Sequence, residues 1–110
     1  MVYSKVQLFE KGLQEKADLF KALSHPARLA ILKYLAERRI CMTGDITEEL
    51  PLSRTTVNQH LSELKRVGLI HGSIEGTRTN YCLDLKKMSE LKCILTSIID
   101  EMNIEGIGKC

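Results

Sequence analysis

The sequence predicts a mainly α-helical domain with one small β-hairpin, and three observations carry that prediction. Residues 52–70, LSRTTVNQHLSELKRVGLI, have the apolar spacing and end signals of a capped amphipathic helix. A proline-stopped helical segment precedes them, and residues of strand-like alternation follow. Two further amphipathic stretches, at 5–23 and 86–103, flank this unit.

In chain order, Val6, Phe9, Leu13, Ala17 and Phe20 recur every three or four residues and predict the first helix, from about Lys5 to Leu23. Ser24 can cap a second helix starting near His25, with Pro26 tolerated in its first turn. Leu29, Ile31, Leu32 and Leu35 then form its expected packing face. A short helix carrying Ile46 and Leu50 can start at Thr43 or Asp45. It must close at Leu50, because the residue before Pro51 is driven out of helical geometry. Pro51-Leu52 makes a tight connection into Ser53, a good N-cap, so residues 43–67 read as a helix-turn-helix. Any helical hairpin would share part of this pattern.

In the second helix of that pair, Val57, Leu61 and Leu64 form one buried stripe, and Thr55, Asn58, Gln59, Ser62 and Arg66 project outward. Lys65 and Arg66 suit the negative end of the helix dipole. Gly68 can turn left-handed and return Leu69 onto Leu64 in a Schellman cap. Residues 69–84 then read as strand, turn and strand, with Glu75-Gly76-Thr77 at the tip. Tyr81, Leu83 and Leu85 share one face of the returning strand, and Arg78, Asn80 and Cys82 the other. A lone hairpin is marginal, so it must lean on the helices as a wing. Arg78, near the tip, can reach a phosphate or the minor groove, or be a solvated turn residue. Met88, Leu91, Leu95, Ile98 and Met102, widened by Ile94 and Ile99, predict the last helix, before a flexible glycine-containing tail at 104–110. The expectation is one winged helix-turn-helix domain over 1–110, with about five helices and a two-stranded wing.

A chain of 110 residues with 44% hydrophobic content suits one domain with a modest core. It contains no apolar run long enough to span a membrane and no secretory segment at its charged start, so no membrane partner is expected. The net charge of +2 is small, but residues 51–81 carry Arg54, Lys65, Arg66 and Arg78 against Glu63 and Glu75, a local excess suited to phosphates. An enzyme is not expected, because the sequence has no nucleophile–base pair, phosphate loop or closed metal-ligand set. No cofactor is expected either. The cysteines at 41, 82, 93 and 110 lack C-x-x-C spacing and point to a reducing cytoplasm, with Cys82 structural and Cys93 turned away from the Leu91–Leu95 seam. Two amphipathic helices around an already complete small core imply a partner, most simply a second copy of the chain. The alternative is that both complete a monomeric core.

ALSHPARLAIL (22–32), LPLSRTTVNQHLSELKRVGLI (50–70) and GTRTNYCL (76–83) resemble the ArsR/SmtB-type winged-helix transcriptional repressors over about residues 5–103. The resemblance implies a homodimer joined through its first and last helices, bound to an imperfect palindrome in double-stranded DNA and released by a small signal. It assigns DNA contact to Ser53, Arg54, Thr55, Thr56, Asn58, Gln59, His60 and Ser62, with Arg78 from the wing. Asn58 and Gln59 are the expected base readers, since each pairs a donor with an acceptor suited to adenine. Arg54 can reach guanine or phosphate, and Thr55, Thr56 and Ser62 would fix register on the backbone. His60 lies beside the apolar stripe and is expected to support packing, with at most one phosphate contact.

The effector stays open. Metal-sensing relatives carry a cysteine-x-cysteine pair where this chain has Cys41-Met42-Thr43, and a lone thiolate is not a metal site. A second family location, on the last helix, offers only Asp100 and Glu101, so no metal is assigned. Cys41 with Cys93 could imitate the early-helix and last-helix pair of thiol-sensing relatives, although the early position falls at Lys33 here. Four ordinary cysteines are the competing reading. A winged-helix protein-interaction module without a DNA role is the alternative function, and the small polar outer face of 55–62 argues against it.

Overall fold

A computed structural model describes residues 8–37, 41–43, 50–73 and 80–102. The expected helix across 44–49, the tip with Arg78, Val6 and the tail with Cys110 lie outside the described residues. The described chain runs α1 (Lys11–Leu23), α2 (Pro26–Glu37), β1 (Cys41–Thr43), α3 (Arg54–Arg66), β2 (Ile70–Ser73), β3 (Asn80–Leu83) and α4 (Leu85–Glu101). The architecture is the expected winged helical one, with four described helices against about five expected.

The expected two-stranded wing is present as β2 and β3, and a third, short strand, β1, joins its edge. The three strands run in the order β1-β3-β2, with β3 antiparallel to both neighbours. Thr43, offered above as a helix start, is instead the last residue of an edge strand paired with Asn80. The strand is only three residues long, too short for periodicity to reveal. Gly72 permits the close pairing of β2 with β3: its φ is +128°, and a Cβ there would collide with the Asn80 carbonyl oxygen.

The core gathers Leu19 of α1, Ile31, Leu32 and Leu35 of α2, Val57, Leu61 and Leu64 of α3, Tyr81 and Leu83 of β3, and Leu91 of α4. Leu29, expected in this face, is exposed. The α1 stripe also divides differently from its expected form. Leu19 and Ala22 are buried, whereas Phe9 and Leu13 are exposed and Phe9 precedes the helix. In α4, Met88, Leu91 and Ile94 pack inward, while Leu95, Ile99 and Met102 form a separate exposed stripe. Each outer helix therefore has an inward apolar side and an uncovered one, which the sequence pattern had merged.

The cap between α1 and α2 is also built differently. Ser24 closes α1, its hydroxyl donating to the Lys21 carbonyl at 2.7 Å. The first-turn amide of Ala27 donates to His25 Nδ1 at 3.0 Å, so the imidazole does the work expected of Ser24.

Candidate nucleic-acid interface

The ends of α3 are determined locally. Ser53 accepts the Thr56 amide at 3.3 Å and donates to the Thr56 hydroxyl at 3.0 Å, which caps the first turn. At the other end Gly68, with φ +85°, lets its own amide reach the Lys65 carbonyl and the Leu69 amide reach that of Leu64, both at 3.0 Å. That pair of bonds is the Schellman cap expected from sequence.

Along the outer side of α3 lies a shallow groove lined by Thr55, Asn58, Gln59, His60 and Ser62, with Glu63 and with Arg28 of α2. Thr55, Gln59 and Ser62 are exposed and Asn58 is half-buried. Arg54 is exposed at the N-terminal end. The structure thus collects most of the expected contact residues on one face. Ser53 and Thr56 stand at its edge, where their side chains are engaged in the cap.

His60 lines the same groove but differs from the others in its burial. It is 8% exposed, which agrees with the packing role and leaves it little access to a phosphate. Its Nδ1 accepts a hydrogen bond from Arg28 Nε at 3.1 Å, and its ring centroid stands 4.2 Å from that of His25. The accepting Nδ1 assigns the ring proton of the neutral imidazole to Nε2. Arg28 also donates from Nη1 to the carbonyls of Ala22 at 3.2 Å and Lys21 at 3.5 Å. One guanidinium therefore fastens the end of α1 to the middle of α3, through a residue on α2. Arg28 is the site residue that sequence reasoning missed. Its partner on α3, His60, is 32 residues away in sequence, so no local spacing signals that bond.

Burial, with the positive field of His25 and Arg28, holds the His60 pKa below the usual imidazole value near 6.5. The sign follows directly. Below about pH 6.5 the unfolded chain takes up a proton that folded His60 refuses, so stability present above that pH is lost on acidification. Wild type should thus lose thermal stability between pH 7 and 5.5, and His60→Gln should lose less over the same interval in matched melting curves.

Two of the basic residues counted toward phosphate contact are engaged internally. Lys65 Nζ donates to the Gly72 carbonyl at 2.7 Å, tying α3 to β2. Arg66 makes a forked pair with Asp18 of α1 at 2.8 and 3.0 Å and also bonds Glu63. Its hydrogen bonds hold the Asp18 carboxyl below the ordinary carboxylate range. These pairs orient α3; the local charge excess overstated the cations left for a ligand.

The two candidate sensor thiols, Cys41 and Cys93, stand in different settings. Cys41 is disulfide-bonded to Cys82, its register partner on β3, and Cys93 is a free, exposed thiol on α4. Among the described residues, no three His, Cys, Asp or Glu side chains are grouped to hold a metal ion. No helix among them is long and apolar enough to cross a membrane.

A family model described as a helix-turn-helix domain matches residues 23–72. An uncharacterized HTH-type transcriptional regulator of Methanocaldococcus jannaschii is 33% identical over 89 residues, 81% of this chain and 96% of that protein. The transcriptional activator HlyU of Vibrio cholerae is also 33% identical, over 78% of this chain and 82% of its own length. Among solved structures, an ArsR-like transcriptional regulator from Rhodococcus sp. RHA1 superposes with a TM-score of 0.66 at 25% identity, covering 86% of this chain and 88% of that one.

Proposed function

The chain belongs to the ArsR/SmtB-type winged helix-turn-helix transcriptional regulators, and on that premise we propose that it is a homodimeric, sequence-specific repressor acting on double-stranded DNA in the cytoplasm. One observation carries the reading: α3 presents a groove of small polar side chains while its back and both ends are held by the core, the caps and the Arg28 clamp. A rigid helix with such a face suits the major groove. A helix that docked on protein would expose large apolar or aromatic anchors, which this face lacks.

In this reading Asn58 and Gln59 read bases, and Arg54 reaches guanine or phosphate. Thr55 and Ser62 set register, as do Ser53 and Thr56 at the helix start. His60 acts from behind by packing. Arg78 is assigned to the wing contact by its place near the hairpin tip. The uncovered stripe of α4, with Leu13 of α1 and Phe9 just before it, supplies an apolar face for a second copy. Two recognition helices would then meet half-sites roughly 34–36 Å apart. A catalytic role is not proposed. The sign of regulation follows the family resemblance, and since one relative is an activator, a reporter driven by the bound promoter checks it directly.

Fluorescence anisotropy with a palindromic duplex, selected by the protein from a random-sequence library, tests the proposal. Affinity should exceed that for a scrambled duplex by at least about 10³-fold and fall steeply as salt rises. Equal binding to both duplexes, or salt-independent binding, would overturn it.

A further inference from the structure

We infer that Cys41 and Cys82 form a reversible thiol–disulfide site through which a low-molecular-weight disulfide tightens the hold of α3 on DNA. The inference rests on the DNA-binding function proposed above and names its regulation. Cys41, Cys82 and His71 are register partners across β1, β3 and β2, so they stand in a row on one face of the sheet. That face is the outer one: Cys41 and His71 are exposed and Cys82 is half-buried, while Tyr81 and Leu83 of the same strand point into the core beside Leu61 and Leu64 of α3. A small reagent can reach the sulfurs without opening the core.

The bond also lies where it can matter. β1 is a three-residue edge strand, and the chain leads from its end at Thr43 to the Ser53 cap of α3. β3 is the central strand of the wing sheet. The disulfide fastens the approach to the reading helix onto the wing across a sequence separation of 41 residues. Without it, a three-residue ladder alone holds that edge. Cross-linking the two elements removes part of the ordering cost of seating both on DNA, so the bonded form should bind more tightly. A disulfide in a cytoplasmic regulator is typically transient and redox-responsive rather than a permanent staple.

The chemistry balances as thiol–disulfide exchange. The thiolate of Cys41, the more exposed residue, attacks one sulfur of the small disulfide; that S–S bond breaks and one small thiolate leaves. The Cys82 thiolate, its proton passing to solvent or to the neighbouring His71 imidazole, then attacks the Cys41 sulfur. It expels the second small thiolate and closes the internal bond. Two electrons pass from the protein dithiol to the small disulfide, and the two protons end on the two small thiols. Excess small thiol runs the steps backward.

The test equilibrates the full chain in glutathione buffers from fully reduced to fully oxidised. Alkylation mass spectrometry reads the Cys41–Cys82 bond, and anisotropy reads affinity for the selected palindrome. Oxidation should form the bond and tighten specific binding by about tenfold, within the usual range of coupling between sites. Cys41→Ser and Cys82→Ser should stay at the reduced-form affinity in every buffer, and Cys93→Ser should respond as wild type does. A bond that does not exchange across the buffers, or reduced protein that binds the palindrome as tightly as oxidised protein or more so, would overturn the inference. If both redox forms prefer the palindrome equally, only the switch fails. If neither prefers it over the scrambled duplex, the DNA reading itself fails.

Discussion

Leu61→Ala is expected to lower folding stability by roughly 2–5 kcal/mol, measured by urea unfolding at fixed protein concentration. Leu61 is 1% exposed and belongs to the cluster that joins α3 to α2, β3 and α4. Removing its branched end forfeits the transfer energy of the lost carbons and leaves a cavity among Leu64, Val57 and Tyr81, neighbours in the same cluster. A domain of this size has only about 5–15 kcal/mol in total, so the loss is a large share. DNA affinity should fall with it, because the stripe holding Leu61 also sets the orientation of Asn58 and Gln59. A loss below about 1 kcal/mol would mean that this core is not the platform of the helix.

Charging the exposed stripe of α4 should have the opposite profile. Leu95 is 44% and Ile99 49% exposed, so Leu95→Glu with Ile99→Glu costs the isolated fold little. In a dimer the same carboxylates would face apolar surface and one another across the seam. Analytical ultracentrifugation should find the variant monomeric at concentrations where wild type is dimeric. Affinity for the full palindrome should drop by about 10²–10⁴-fold, because each half-site then binds without the effective concentration supplied by its partner. A variant that stays dimeric would place the interface elsewhere.

What was legible in the sequence was local. Ser53, the Val57–Leu61–Leu64 stripe and Gly68 lie within one helix and its caps, where spacing and φ preference decide the outcome. The alternating residues of 80–83 identified β3 for the same reason. Sequence reasoning failed where partners are distant. The Arg28–His60 bond joins two helices, Arg66 meets Asp18 at a separation of 48 residues, and Cys41 meets Cys82 through a strand of three residues. Periodicity also fails to say what covers an apolar residue. In α1 and α4 it merged residues facing the core with residues facing away, which is why Leu19 and Ala22 were missed and Leu13 and Leu95 were taken for the same stripe as their inward neighbours.

The same limit applied to charge. Lys65 and Arg66 were counted as free to meet phosphate, but their nearest acceptors are the Gly72 carbonyl and the Asp18 and Glu63 carboxylates. The electrostatic pull of this face on DNA should therefore be smaller than a residue count implies, and in the proposed reading specificity rests more heavily on the neutral groups of α3.

The most direct test of that claim is a comparison of specific and non-specific affinity for the Asn58→Ala, Gln59→Ala double variant. Each side chain should contribute about 1–3 kcal/mol of base discrimination, so affinity for the selected palindrome should fall while affinity for the scrambled duplex and its salt dependence stay nearly unchanged. Equal weakening on both duplexes would contradict the account, because it would make these residues backbone contacts and move base reading away from α3.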